Sequence, residues 1–160
     1  MRKALSTTES QTTVTPKRMI QRIQTVYLIL GALAVGGLFL LDPLWSGPTV
    51  QRYDWFSGTA AALAGLTAAG ALGTVFLYNN RSRQRAVTAG LQVMAALLTG
   101  LLFVCFYGAG ALGLRGAGGA LDFSRITFLV LPIGAYVFFM LARRAIQSDI
   151  DLVRSMDRLR

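Results

Sequence analysis

Four stretches of this 160-residue chain carry no Asp, Glu, Lys, Arg or His, and they limit what the chain can fold into. They cover residues 23–41, 58–78, 86–107 and 126–142. Each contains roughly 17 to 22 residues, enough for a helix to cross a hydrocarbon core of about 30 Å. Because an open sheet would leave backbone groups unpaired in lipid, these stretches predict four membrane-spanning helices.

The composition supports a membrane protein. Hydrophobic residues make up 54% of the chain and charged residues 14%, whereas about a quarter of the residues in a soluble domain are charged. We therefore predict an all-α membrane protein, with four transmembrane helices in a bundle over residues 19–142. An amphipathic C-terminal cytoplasmic helix is predicted over residues 143–160. Residues 1–18 are polar and rich in Ser and Thr, which predicts a disordered N-terminal extension.

Local signals mark the ends and one interior point of the predicted helices. Asp42 and Pro43 follow the first stretch, and proline cannot continue a helix because it lacks a backbone N–H. Asp122 precedes the fourth stretch and is a candidate N-cap, as is Ser124. Pro132 lies inside the fourth stretch and predicts a kink there.

Lysine and arginine are distributed unequally between the two sides of the predicted topology. Of the 16 such residues, 13 lie in the N-terminal arm, the second loop and the tail, and 3 lie in the first and third loops. Because cytoplasmic loops are enriched in these residues, both termini are predicted to be cytoplasmic. The predicted membrane-interface residues are Arg81, Arg83, Arg85, Arg143 and Arg144 on that side, and Trp45 and Trp55 on the other.

We therefore attribute the net charge of +9 to the enrichment of Lys and Arg on the cytoplasmic side, where they attract anionic lipid headgroups. We expect no nucleic-acid partner. The chain contains no His and a single Cys, Cys105, which excludes an intrachain disulfide and disfavours a metal site. The spans carry no charged side chain that could relay protons or act as a catalytic acid or base. We expect no enzymatic activity, no cofactor and no catalytic residues.

Helix packing is predicted at two places within the spans. Small residues recur every four positions in the second stretch, at Ala61, Gly65, Ala69 and Gly73, and such a face lets another helix backbone approach closely. The sequence leaves open whether that helix belongs to the same bundle, to a partner protein or to a second copy. Gln92 in the third stretch is predicted to hydrogen-bond to a neighbouring helix.

The tail has its own apolar face. At helical spacing, one side of residues 143–160 carries Ile146, Ile150, Val153, Met156 and Leu159. This face could lie on the membrane, pack on the N-terminal segment or enter a groove on a partner. Aspartates in the tail weaken attraction to anionic lipid, so we favour protein contact, either within the chain or with a partner.

Two motifs resemble a known family. The chain has Met19-Ile-Gln-Arg-Ile-Gln-Thr-Val-Tyr-Leu where its first span begins, and it ends with Asp151-Leu-Val-Arg-Ser-Met-Asp-Arg-Leu-Arg. Together with Leu141-Ala-Arg-Arg-Ala-Ile and the four spans, these motifs resemble small inner-membrane proteins of Bacteroidota that form a domain of unknown function. The resemblance covers residues 19–160 and implies a bacterial inner-membrane location and no established activity. Family members begin near the first motif, so residues 1–18 look like an extension.

Two functional hypotheses follow from the sequence. The first is a non-catalytic scaffold or accessory subunit of the membrane, which uses the faces described above to contact a membrane-protein partner or a second copy. The alternative is a small oligomeric transporter or channel, in which Thr and Gln side chains of several copies line a shared pore.

Overall fold

The computed structural model describes residues 17–77, 80–113 and 122–157. Of residues 17–22, 43, 153, 156 and 157 it describes the backbone alone. Residues 1–16 of the predicted N-terminal extension therefore lie outside the described part of the chain. The first helix begins at Lys17, so the last two residues of that predicted extension are helical.

The described residues form helices joined by turns and short irregular segments. The four long helices contain the four candidate membrane spans, as predicted. A 3₁₀ turn over Gly37–Leu40 extends the first of them. The α-helices in chain order are α1 (Lys17–Gly36), α2 (Asp42–Ser46), α3 (Pro48–Arg52), α4 (Phe56–Val75), α5 (Arg81–Gly108) and α6 (Phe123–Asp157).

The four long helices pack as a ring. Helix α6 contacts α1 and α5, and α4 contacts the same two helices from the other side. The interior is apolar, with Leu28, Val35, Leu98, Leu102 and Phe139 almost fully buried. The outward surface is apolar as well: Leu33, Leu66 and Val104 are each about two-thirds exposed, at 66%, 64% and 66%. Long helices that are apolar on both sides suit a bilayer, where lipid covers the outer face.

One close approach fixes α1 against α6 near the middle of the bundle. The ring of Phe139 lies directly over Gly31, and a Cβ atom at position 31 would overlap the ring. Phe139 is fully buried at this contact. Position 31 therefore requires glycine, because any larger residue would occupy the space of the Phe139 ring.

Aromatic side chains fill the end of the bundle where α4 and α6 begin and α5 ends, which we call the aromatic end. The Phe106 ring lies 5.9 Å from Phe56 and 4.2 Å from Phe128, measured between centroids. The Trp45 ring stacks on Phe39 at 5.3 Å. Its Nε1 donates a hydrogen bond of 3.0 Å to the Leu38 carbonyl oxygen, which also accepts from the backbone N–H of Leu41 at 3.2 Å.

The start of α6 confirms the predicted N-cap at Asp122. Its Oδ1 accepts hydrogen bonds from the backbone N–H groups of Ser124 at 3.1 Å and Arg125 at 3.3 Å. Its Oδ2 pairs with Arg125 Nε at 3.0 Å. The carboxylate thus neutralises the positive helix end and satisfies two N–H groups there.

The C-terminal part of α6 corrects one prediction. No separate amphipathic C-terminal helix follows the fourth span within the described residues, because α6 runs unbroken from Phe123 to Asp157. Ser148 Oγ donates to the Arg144 carbonyl oxygen at 3.1 Å, which is the geometry of a helix interior. Ile146 is fully buried, so this part of α6 packs against its own bundle.

Candidate functional site

The end of the bundle opposite the aromatic end holds an ion pair between two helices. Arg81, the first residue of α5, pairs with Asp149 of α6. The Asp149 side chain is 1% exposed and that of Arg81 is 23% exposed. A buried carboxylate is costly unless a cation stays beside it, so the pair requires the start of α5 to remain against α6.

Two glutamines tie neighbouring segments together at the same end. Gln84 of α5 is buried, and its Nε2 donates to the Thr74 carbonyl oxygen near the end of α4 at 3.3 Å. Gln24 of α1 is also buried, and its Nε2 donates to the Ala145 carbonyl oxygen of α6 at 3.1 Å. All four long helices are therefore linked by polar contacts at this end, which we call the arginine end.

An open groove with a volume of about 660 Å³ lies between α5 and α6 at the arginine end. On α6 its wall uses positions 143, 147, 150 and 154, which share one face of a helix. On α5 the wall uses the first residues of the helix and the next two turns of the same face. The residues lining it are Arg81, Ser82, Arg85, Ala86, Ala89, Arg143, Gln147, Ile150 and Arg154. We call this the arginine groove.

The arginine groove carries excess positive charge. Within the described residues, Arg85, Arg143 and Arg154 form no ion pair, and all three are exposed. Of the described carboxylates on α6, Asp149 is already paired with Arg81, and Asp151 Oδ1 accepts a hydrogen bond of 2.8 Å from Gln147 Nε2. Helix α5 begins at the groove, so the positive end of its dipole adds to the same field.

The small-residue stripe lies outside the bundle core. Ala61 and Gly65 are half-buried, while Ala69 and Gly73 are exposed. A Cβ atom at Gly65 or Gly73 would meet nothing within 4 Å. Helix α4 instead buries the neighbouring face, which carries Ala60, Ala64, Thr67, Ala71 and Thr74.

Gln92 lies in α5 and is half-buried. Its Oε1 has no hydrogen-bond partner in the described part of the chain. The side chains of Gln24 and Gln84 make interhelical hydrogen bonds, while the hydrogen bond predicted for Gln92 stays a prediction. Those two residues lie near the ends of their spans. A polar residue at such a position is expected to face water, so the sequence alone did not indicate an interhelical hydrogen bond.

The predicted interface residues fall into different environments. Arg83 and Arg144 are exposed and lie outside the arginine groove, whereas Arg85 and Arg143 line it. Arg81 also lines the groove, but it is largely buried by its pairing with Asp149. At the other end, Trp55 is 55% exposed and Trp45 is half-buried against Phe39.

The predicted contact face of the tail is only partly available to a partner. Ile146 is fully buried in the bundle, so it cannot meet another protein. Ile150 is half-buried and lines the arginine groove. The side chains of Val153 and Met156, and Leu159 as a whole, lie outside what the structure describes.

Sequence reasoning missed Asp149, Ser82, Gln147 and Arg154 as members of one site. The available signal was helical spacing, since Arg143, Gln147, Ile150 and Arg154 share a face if the helix continues past the membrane. Pairing that face with the start of α5 requires knowledge of how the two helices pack. Asp149 resembled a solvated tail charge because charged residues surround it in the sequence.

The family described as "Domain of unknown function (DUF4293)" matches residues 52–159 of the chain. The match includes α4, α5, α6 and every residue of the arginine groove. It confirms the predicted resemblance to a domain of unknown function, while the source among Bacteroidota stays a prediction. No curated protein and no solved structure matches the chain at a significant level.

Proposed function

The chain belongs to the DUF4293 family, a domain of unknown function, and from that premise we propose that it is a non-catalytic scaffold or accessory subunit. Its four candidate spans make it a multi-pass membrane protein. We further propose that the membrane is the bacterial inner membrane and that both termini are cytoplasmic. The clustering of Arg81, Arg85, Arg143 and Arg154 at one end supports this orientation, because arginine is enriched on the cytoplasmic side.

The observation that carries the scaffold proposal is the outward position of the small-residue stripe on α4. Gly65 and Gly73 leave open space outside the bundle, and Ala69 between them is exposed. In lipid, helices associate through close packing, and small residues allow the closest approach of two backbones. The bundle buries a different face of α4, so this stripe remains available to a partner helix or to a second copy.

The positions of the ionisable groups support a role without catalysis. The buried carboxylate of Asp149 pairs with Arg81 and so has a structural role in joining α5 to α6. Among the described residues, no group of three or more His, Cys, Asp or Glu side chains could hold a metal ion. The arginine groove lacks a nucleophile with an adjacent base, which hydrolytic or acyl-transfer chemistry would require.

The threonines favour the scaffold over the alternative of a transporter or channel. Each of five span threonines donates its hydroxyl to the carbonyl oxygen four residues earlier in its own helix. These are Thr67, Thr74, Thr88, Thr99 and Thr127. A hydroxyl that is bonded in this way is less available to replace the hydration shell of a solute.

The test compares two pairs of outward-facing glycines. Gly65→Val with Gly73→Val fills the stripe, and Gly90→Val with Gly100→Val adds the same atoms at exposed positions of α5 that are equally open. The protein is crosslinked in membranes, extracted in mild detergent and analysed by mass spectrometry. We expect a partner protein or a second copy with the wild type and the α5 variant, and its loss with the α4 variant.

Recovery of neither a partner nor a second copy by the wild type would contradict the proposal. Equal recovery by both variants would also contradict a role for the stripe. Reconstitution in liposomes addresses the alternative function. Solute or ion flux that requires the chain would favour the transporter or channel over the scaffold.

A further inference from the structure

We propose that the arginine groove binds the phosphate group of an anionic ligand. The ligand is either an anionic phospholipid of the surrounding leaflet or a soluble phosphorylated molecule. This proposal does not depend on the scaffold role, because the small-residue stripe lies on α4 and the groove is lined by α5 and α6.

The first argument is the convergence of arginines from two helices. Arg81 and Arg85 come from successive turns of α5, and Arg143 and Arg154 come from one face of α6. Arg81 is paired with Asp149, but the guanidinium groups of Arg85, Arg143 and Arg154 repel one another unless an anion lies between them. Guanidinium groups donate planar pairs of N–H bonds, which match phosphate oxygens, and charge-assisted bonds of this type are among the strongest hydrogen bonds in proteins.

The second argument is that three of these four arginines form no ion pair within the described part of the chain. Asp149 pairs with Arg81, and Asp151 accepts from Gln147. Within the described residues this leaves Arg85, Arg143 and Arg154 without an ion pair. Ser82 also lines the groove, and α5 begins there, so the positive end of its dipole lies beside the groove.

The third argument is the shape and mixed polarity of the groove. Its volume of about 660 Å³ exceeds that of a bare phosphate and falls in the range of small-molecule sites, roughly 300 to 1,000 Å³. Ala86, Ala89 and Ile150 line its apolar part. A phosphate attached to an organic group fits both surfaces, since the charge meets the arginines and the organic part meets the apolar residues.

The groove is also held in place before a ligand arrives. The Arg81–Asp149 ion pair joins its two walls. Gln84 fixes the start of α5 to α4, and Gln24 fixes α6 to α1 beside position 145. A site whose walls are already positioned loses less conformational freedom on binding, which favours affinity.

The test uses two double variants with the same change in charge. Arg85→Gln with Arg143→Gln removes two groove arginines, while Arg83→Gln with Arg144→Gln removes two exposed arginines that lie outside it. Each variant is first checked for an unchanged helical circular-dichroism spectrum. All three proteins are then studied as full-length chains in a zwitterionic detergent and in lipid nanodiscs.

The soluble arm measures thermal unfolding with increasing inorganic phosphate, against chloride at the same ionic strength. The lipid arm measures retention of phosphatidylglycerol by native mass spectrometry, after extraction from nanodiscs of phosphatidylcholine and phosphatidylglycerol. We expect the wild type and the control variant to bind one probe, and the groove variant to bind it about tenfold more weakly. A rise in the unfolding temperature with phosphate identifies a soluble phosphorylated ligand. Selective retention of phosphatidylglycerol without that rise identifies a lipid headgroup.

Two results would overturn the proposal. One is equal weakening in both double variants, which would mean that general surface charge attracts the anion. The other is the absence of binding to either probe by the wild type. Neither result bears on the scaffold proposal, which depends on partner recovery through α4.

Discussion

The two ends of the bundle are built from different interactions. At the aromatic end, the contacts around Phe106 depend on shape, since the rings of Phe56 and Phe128 pack against it. At the arginine end, the Arg81–Asp149 pair and the amides of Gln24 and Gln84 join the helices. The same four helices are therefore fixed by packing at one end and by polar groups at the other.

We infer from this difference that the aromatic end contributes mainly to the stability of the bundle and the arginine end mainly to ligand binding. Packed rings lose energy whenever a void is left between them, so the aromatic end tolerates little change in volume. At the arginine end, polar contacts join the helices beside an open groove of about 660 Å³, which leaves room for a ligand. We therefore expect mutations at the aromatic end to change stability most, and mutations at the arginine end to change salt dependence and binding most.

The largest effect is expected for Phe106→Ala. This change leaves a cavity beside Phe56 and Phe128, and we expect it to lower the free energy of unfolding by about 3 kcal/mol. The loss should be independent of ionic strength, because no charge is involved. It is measured by unfolding in mixed detergent micelles, with Phe103→Ala as the control, since Phe103 is 54% exposed on the same helix. An equal loss in the control would contradict a role for ring packing.

The second-largest effect is expected for Gly31→Ala, which tests the contact of α1 with α6 near the middle of the bundle. The new methyl group overlaps the Phe139 ring, and forced overpacking of this kind costs about 1 to 3 kcal/mol. Gly36→Ala is the control, because a Cβ atom there meets nothing within 4 Å. Adding Phe139→Leu should restore part of the lost stability in the same unfolding measurement. Failure of this rescue would show that the loss has another cause.

The smallest effect on stability is expected for Asp149→Asn at the arginine end. The change removes the charge that faces Arg81, but Arg81 is partly exposed and can turn to water, so we expect a loss of about 1 kcal/mol. The loss should shrink as ionic strength rises. Asp151→Asn is the control, because Asp151 is exposed. A loss that does not change with salt would mean that Asp149 acts through packing, as the aromatic end does.

The sequence predicts the membrane spans well because each span can be recognised from its own residues. Uncharged stretches of the required length mark the four long helices, and Asp122 marks the start of α6. The C-terminal helix was placed less well. Its sequence is compatible with a separate helix and with a continuation of the fourth span, and the structure shows one continuous helix.

The buried face of α4 and the arginine groove could not be predicted in this way. Apolar and small residues cover every side of α4, so its sequence does not indicate which face turns inward. The groove depends on the pairing of α5 with α6, and local spacing does not fix that pairing. Asp149 shows the limit most clearly, because its ion-pair partner, Arg81, lies in a distant part of the sequence.

The continuity of α6 has a mechanical consequence. Its 35 residues extend over roughly 50 Å at the rise of an α-helix, well beyond a hydrocarbon core of about 30 Å. The same helix therefore contributes Arg154 to the arginine groove and Phe128 to the aromatic end. Pro132 lies inside this helix and removes one of its backbone hydrogen bonds. Because that hydrogen bond is missing, we expect α6 to bend more easily near Pro132 than elsewhere along its length.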